Sequence, residues 1–243
     1  PRWLPQVRTW TESNEQAAMG ELPELLPIPN VAADRPNIRR NAEHLRGLLQ
    51  KRGFSAELLE TAGNPLVYGD LRVPGATRTL LLYSHYDGQP VNPKGWQQPD
   101  PFRPIVPAGK DGAEVRDAAS RKRPDRDWRI YARSASDDKS PIVMMLSALD
   151  ALRASVLAPT VNVRVVLDGE EEAGSPSLVP AIGRYREKFA ADLMVILDGP
   201  QHSSGRPTIA YGARGIARVD ITVFGPRAGV HSGNYGNWVP NPA

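Results

Sequence analysis

The chain reads as an α/β protein, a mixed sheet covered by helices on both faces. Three observations carry this reading. Apolar runs of strand length recur at residues 79–84, 161–167 and 193–197. Helical patterns separate them, giving the order strand, helix, strand, helix, strand. Each run also ends in, or is soon followed by, His or acidic residues, at the carboxyl edge where open α/β sheets bind ligands.

The elements can be taken in chain order. Residues 1–20 are polar, with Trp3, Leu4, Val7 and Trp10 at helical spacing, so a helix docked by its tryptophans is expected. Residues 23–29 are rich in proline and read as a connection. Over residues 37–52, Ile38, Ala42, Leu45, Leu48 and Leu49 form a helical stripe, and Gly53 suits the left-handed position just past its end. His44 lies beside that stripe and reads as a surface or structural residue. Residues 54–67 offer short strands before the run that ends at His85. Residues 107–128, dominated by Gly, Ala, Arg, Lys and Asp, read as a mobile surface loop. The triplet Arg121-Lys122-Arg123 within them is better explained by a solvated insertion than by an acidic partner.

Ser140-Pro141 opens the next helix, with Pro141 in its first turn. Ile142, Met145, Leu146, Leu149 and Leu152 form its inner face, and Met144 is expected in the core beside Met145. A third helix is expected over residues 177–190. Residues 208–211 read as another strand, and residues 216–224 alternate with period two, as in a half-exposed antiparallel strand. This change of pattern predicts a domain boundary near Gly212, giving domains over 1–211 and 212–243.

Composition narrows the function classes. With 243 residues and 40% hydrophobic content the chain can bury a real core. Thirty basic against 27 acidic residues give a formal charge of +3, too balanced to argue for nucleic acid. There is no cysteine, which excludes disulfides, thiolate metal sites and cysteine nucleophiles. No apolar stretch approaches membrane-spanning length. The chain starts at Pro1, which suggests a start after a processing boundary. A cytoplasmic location is the expectation; the lack of cysteine is equally compatible with a periplasmic or secreted protein.

The chemistry-bearing residues stand at the strand ends. His85 closes the first run with Asp87 two residues on, as a metal-ligating imidazole and an orienting carboxylate would. Taken alone, the pair is better explained by chance or a satisfied core histidine. Asp137-Asp138-Lys139 precedes a helix, Glu170-Glu171-Glu172 follows the second run, and Asp198 closes the third. Any one of these fits a solvated loop or a helix cap. Together they converge, because strand ends in one sheet share an edge. Two carboxylates about 4 Å apart repel by ~4 kcal/mol at an effective dielectric near 20. Asp137-Asp138, Glu170-Glu171-Glu172 and Asp198 together bring a negative charge that divalent cations would offset.

Specific segments resemble the M20 metallopeptidases, the group that includes carnosine-type dipeptidases, aminoacylase and related amidohydrolases. They are Ser84-His85-Tyr86-Asp87-Gly88-Gln89-Pro90, Trp96 with Pro101-Phe102, Ser136-Asp137-Asp138-Lys139-Ser140-Pro141, Gly169-Glu170-Glu171-Glu172-Ala173-Gly174-Ser175, Asp198, and His231-Ser232-Gly233-Asn234-Tyr235-Gly236 with Asn241-Pro242. The first and fourth look most like the dipeptidase branch. The resemblance implies a Zn-exopeptidase-like catalytic domain and, from residue 212, the start of a smaller α+β lid or dimerisation domain. It implies two divalent metal ions, zinc first, with manganese or cobalt as alternatives. His85 and Asp198 would hold one ion, Glu172 the other, and Asp137 would bridge them. Asp87 would clamp His85. Glu171 would be the general base for a metal-bound water attacking the carbonyl. His231, in the lid, would polarise that carbonyl, commonly in the partner subunit's active site. A small peptide substrate and a homodimer of the full-length protein are implied, with no nucleic acid or membrane partner.

An N-acyl amino acid deacylase of the same family and a non-catalytic homologue are the alternative readings. The sequence departs from the family in having Ala132-Arg133-Ser134 where Gly-Arg-Gly is usual, and in the length of the 107–128 insertion. Family members also continue beyond the point matching Ala243 and supply a further His to the second metal. No residue here can take that role, so this chain alone is expected to be inactive or nearly so.

Overall fold

The computed structural model describes residues 3–108, 114–117, 129–155, 157, 159–199 and 202–240. They fall into two compact units, Pro1–Pro200 and Gln201–Ala243.

The first unit is built on a five-stranded sheet in the order β1-β2-β6-β3-β7. Its strands are β1 (Ser55–Leu59), β2 (Leu66–Leu71), β3 (Thr79–His85), β6 (Asn162–Asp168) and β7 (Leu193–Ile196). β1 with β2 and β2 with β6 are antiparallel, whereas β3 lies parallel to both β6 and β7. The register sets His85 opposite Asp168, so the ends of β3 and β6 open on the same edge. The mixed sheet expected from the sequence is therefore present.

Helices cover both faces. On one lie α2 (Glu15–Leu25), α3 (Arg35–Lys51) and α4 (Lys139–Ala154), whose Leu22, Leu25, Ile38, Leu45, Ile142 and Leu146 pack on Val67, Val163, Val165 and Leu167 of the sheet. On the other, α5 (Leu178–Arg184) and α6 (Arg186–Phe189) set Leu178, Ala181, Tyr185 and Phe189 against Tyr68, Leu81, Tyr83 and Val166. The alternation of Val165 and Val166 between faces is the period of two along one strand. Arg164, on the second face, donates Nη1 to the carbonyls of Glu187 (2.7 Å) and Ala190, which fastens α6 to the sheet.

Several expectations need correcting. The N-terminal helix, α1 (Leu4–Ser13), forms as read but buries none of its residues, and Trp3 is exposed. Residues 15–25, read partly as connection, are helical through Pro23. Pro23 sits in the last turn of α2, where its lack of an N–H forgoes the bond to the carbonyl four residues back while the turns before it stay intact. α3 runs as read, capped by Asp34 at its start and followed by Gly53 at φ +83°. Met144 is 61% exposed rather than buried, because α4 turns it away from the core. The helix expected over 177–190 breaks at Tyr185 into α5 and α6. In the stretch read as a loop, β4 (Ile105–Ala108) and β5 (Glu114–Asp117) form an antiparallel hairpin, while Arg121-Lys122-Arg123 lies outside the described residues.

β7 is the outermost strand, and Leu193, Met194, Val195 and Ile196 are all exposed. Beside it an open apolar hollow of about 670 Å³ is lined by Leu80, Leu82, Leu149, Leu152 and Val163. This is why Leu149 and Leu152, expected in the core, are only half-buried.

In the second unit, α7 (Ser232–Tyr235) is the one regular element among the described residues. The strands expected over 208–211 and 216–224 are not formed. Tyr211, Ile216, Val219, Ile221 and Phe224 are exposed. An alternating segment becomes a strand only when a neighbour takes up its backbone N–H and C=O groups, and the described residues of this unit provide none.

Arg52 holds the three helices of the first face together. Its guanidinium is 7% exposed and meets Asp150 of α4 at 2.6 Å and Glu21 of α2 at 2.8 Å. In Arg52→Met, Asp150 loses this partner and Glu21 keeps only Lys51, at 3.6 Å. The variant is expected to unfold at lower denaturant with an unchanged slope, a loss of about 2–3 kcal/mol after allowing for the partial exposure of Asp150.

Candidate metal centre

His85 ends β3 with its side chain 1% exposed. Its Nδ1 lies 3.2 Å from the carbonyl of Asp87 and 3.3 Å from Asp87 Oδ1. Both are acceptors, so in the neutral ring Nδ1 carries the hydrogen and Nε2 keeps a free lone pair. Nε2 faces Asp137 Oδ1 at 2.9 Å, Asp198 Oδ2 at 3.8 Å and Glu171 Oε2 at 3.9 Å. Ligand atoms of His85, Asp137 and Asp198 all lie within 4.8 Å of one another. One imidazole and two carboxylates, from the end of β3, the turn before α4 and the loop after β7, form a donor set suited to a divalent ion such as zinc or manganese.

Asp87 is fully buried and does more than touch the imidazole. Its Oδ1 accepts the backbone N–H of Glu171 at 3.0 Å, and its Oδ2 that of Glu172 at 3.1 Å. The 3-10 turn Glu171–Ala173 therefore begins on the carboxylate that orients His85. Asp168 fixes the same loop from the other side. Its Oδ1 takes the N–H of Glu170 at 3.0 Å and its Oδ2 the hydroxyl of Ser175 at 2.7 Å. Glu170 itself turns away from the cluster and accepts the N–H of Asn64 at 2.8 Å. Gly169 is required here, since a Cβ would fall 2.4 Å from the Tyr86 hydroxyl.

Asp138 is the buried member of the Asp137-Asp138 pair. Its Oδ2 accepts the N–H of His85 at 3.2 Å and the hydroxyl of Ser84. Sequence reading passed over it, although its place beside Asp137 is the signal that could have found it. Lys139 is also buried and donates Nζ to the carbonyls of Leu25 at 2.9 Å and Ile28 at 2.8 Å.

The remaining sequence-selected residues are placed as follows. The carboxylate of Glu172 accepts Gln89 Nε2 at 2.5 Å and is not one of the three clustered ligands. His231, in the second unit, caps α7, its Nδ1 accepting the N–H of Gly233 at 3.1 Å.

Titration follows from this packing. Burial pulls the His85 imidazole down, but the hydrogen bond and charge of Asp87, with Asp138 and Glu171 beyond it, push it up to about 10. Burial raises Glu171, and Asp198, Glu172 and Asp87 add to this against the opposing pull of His85. Burial raises Asp138 to about 7 despite its hydrogen bonds, and lowers Lys139 to about 7.

The chain aligns with known proteins over most of its length. Residues 81–235 match Peptidase family M20/M25/M40. The Cys-Gly metallodipeptidase dug1 of Schizosaccharomyces pombe is 29% identical over 236 residues, 91% of this chain and 46% of that protein. The human Beta-Ala-His dipeptidase is 29% identical over 181 residues, 73% of this chain and 32% of that protein. The crystal structure of the dipeptidase Dug1p from Saccharomyces cerevisiae superposes with a TM-score of 0.70 at 23% identity, covering 98% of this chain and 50% of that one. The chain thus spans about half the length, or less, of these relatives.

The raised Asp138 makes a pH test possible. In metal-free protein the folded state holds this proton over a window, from near 4 to about 7, in which the unfolded state has lost it. Its contribution to stability therefore falls as pH rises through that window. Relative to wild type, Asp138→Asn is expected to gain stability between pH 4.5 and 7.5, by about 3 kcal/mol. Thermal melts of chelator-treated protein at the two pH values check this.

With the family's strand-end residues drawn to one edge of a mixed sheet and the match covering residues 81–235, this chain belongs to Peptidase family M20/M25/M40.

Proposed function

We propose that the protein hydrolyses the amide bond of dipeptides or short peptides with the help of two divalent ions. The observation that carries this reading is the meeting of His85, Asp137 and Asp198 within 4.8 Å, with Glu171 Oε2 3.9 Å from the same imidazole nitrogen. His85 and Asp198 would hold one ion together with Asp137. Asp137, whose side chain is 64% exposed, and Glu172 would hold the second ion. Divalent ions there supply Lewis acidity, polarising a carbonyl and lowering the pKa of water toward ~7.

Glu171 is the general base. Its raised pKa suits a carboxylate that takes a proton from the attacking water and returns it to the leaving amine nitrogen. Asp87 holds His85 in the tautomer that presents Nε2 and fixes the backbone of Glu171. His231 is assigned to the developing oxyanion, an assignment that rests on its sequence motif. Names of relatives that act on Cys-Gly and β-Ala-His support a dipeptide substrate over an N-acyl amino acid.

The test is made on the full-length gene product. Chelation is expected to abolish dipeptide hydrolysis, and zinc or manganese to restore it. Glu171→Gln is expected to lower turnover by about 10²–10⁴-fold while metal content stays at the wild-type value. Undiminished turnover in Glu171→Gln would remove the assigned base. Faster cleavage of an N-acetyl amino acid than of a dipeptide would move the protein to the deacylase reading.

A further inference from the structure

The segment between α2 and α3 lies outside the family match, yet it touches the loops that carry His85 and Asp137. Asn30 is fully buried within it. Its Nδ2 donates to the carbonyl of Tyr86 at 2.7 Å and to Ser134 Oγ at 3.0 Å. Its own carbonyl accepts the N–H of Gly88 at 2.8 Å, and Val31 bridges in parallel to Gly88. Tyr86 stands between His85 and Asp87. Ser134 opens the loop that carries Asp137, with φ +61°, and its carbonyl accepts the N–H of Lys139 at 3.1 Å. One carboxamide therefore joins the loop of one metal ligand to the loop of another.

The neighbours of Asn30 extend the same fastening. Leu25 and Ile28 accept the Lys139 ammonium. Ala32 accepts Asn64 Nδ2 at 2.8 Å, and the same nitrogen donates to Gly169 at 2.9 Å, just before the Glu170-Glu171-Glu172 run. The contact leaves little slack, since a Cβ on Gly88 would fall 2.2 Å from Ser134 Oγ and 3.2 Å from Asn30 Nδ2.

We propose that Asn30 is a positioning residue for the metal centre, its side-chain amide setting the spacing between the His85 loop and the Asp137 loop. This rests on the metal-hydrolase reading given above. An amide suits the task because it donates to two acceptors at once from a short, rigid stem. Alanine at position 30 removes both bonds and leaves the Tyr86 carbonyl unpaired in the interior. Serine keeps a single donor.

The test titrates Co²⁺ into the metal-free chain and follows its visible absorption, with melting of the metal-free protein measured beside it. Asn30→Ala is expected to bind Co²⁺ about 10–100-fold more weakly, with an altered absorption band, and Asn30→Ser to recover part of the loss. A lower melting temperature for Asn30→Ala with unchanged Co²⁺ affinity and spectrum would reduce Asn30 to core packing and overturn the proposal. If Asn30→Ala does not fold, Ser134→Ala, which removes one of the two bonds, carries the test. A shifted band supports the proposal and an unshifted one overturns it. A wild-type chain that takes up no more Co²⁺ than His85→Ala overturns the metal reading, and this inference with it. Binding by wild type and equal binding by Asn30→Ala overturns the inference alone.

Discussion

The carboxylate of Asp87 accepts from three directions while wholly shielded from water: the His85 ring on one side, the main-chain N–H groups of Glu171 and Glu172 on the other. A buried anion is tolerated only when its lone pairs are taken up by donors. That requirement fixes the distance between the end of β3 and the turn after β6. Parallel pairing of these strands, with His85 opposite Asp168, brings the two loops close enough for one carboxylate to serve both. The tautomer of the imidazole and the placement of the base thus follow from the same interaction.

Around this point the chain gathers far more negative than positive charge. Asp138 and Asp168 lie in the interior with raised pKa values, and Glu171 is raised by burial and by its acidic neighbours. Lys139, the nearest buried cation in sequence, turns its ammonium away to the carbonyls of Leu25 and Ile28. The imbalance falls on His85, whose imidazole takes up a proton more readily than usual. A divalent ion offers a fuller answer to the same imbalance, in competition with that proton.

Much of this was legible before the fold. Apolar runs mark strands, and a ligand just past such a run has a predictable place, which is how His85 and Asp198 could be read together, with Asp137 found at the start of a helix. Long helices with a clear stripe, such as α3, were legible for the same reason. Asn30 and Asn64 were not. Short polar residues in turns carry no period, and their importance lies in partners up to 106 positions away in the chain. Pro23 misled because the burial of Leu22, Leu25 and Leu26 around it outweighs the one backbone bond a proline forgoes there. Residues 216–224 misled because alternation records a preference for a sheet surface and cannot supply the neighbour that a strand needs.

The outer side of β7 carries a further consequence. Its four residues are apolar and exposed, and among the described residues the strand is paired only with β3. A bare apolar edge is a template on which other polypeptide can add by backbone hydrogen bonding. With a formal charge of only +3, the chain has little long-range repulsion to hold copies apart. Lysines placed along β7 are therefore expected to reduce self-association of the isolated polypeptide through this edge.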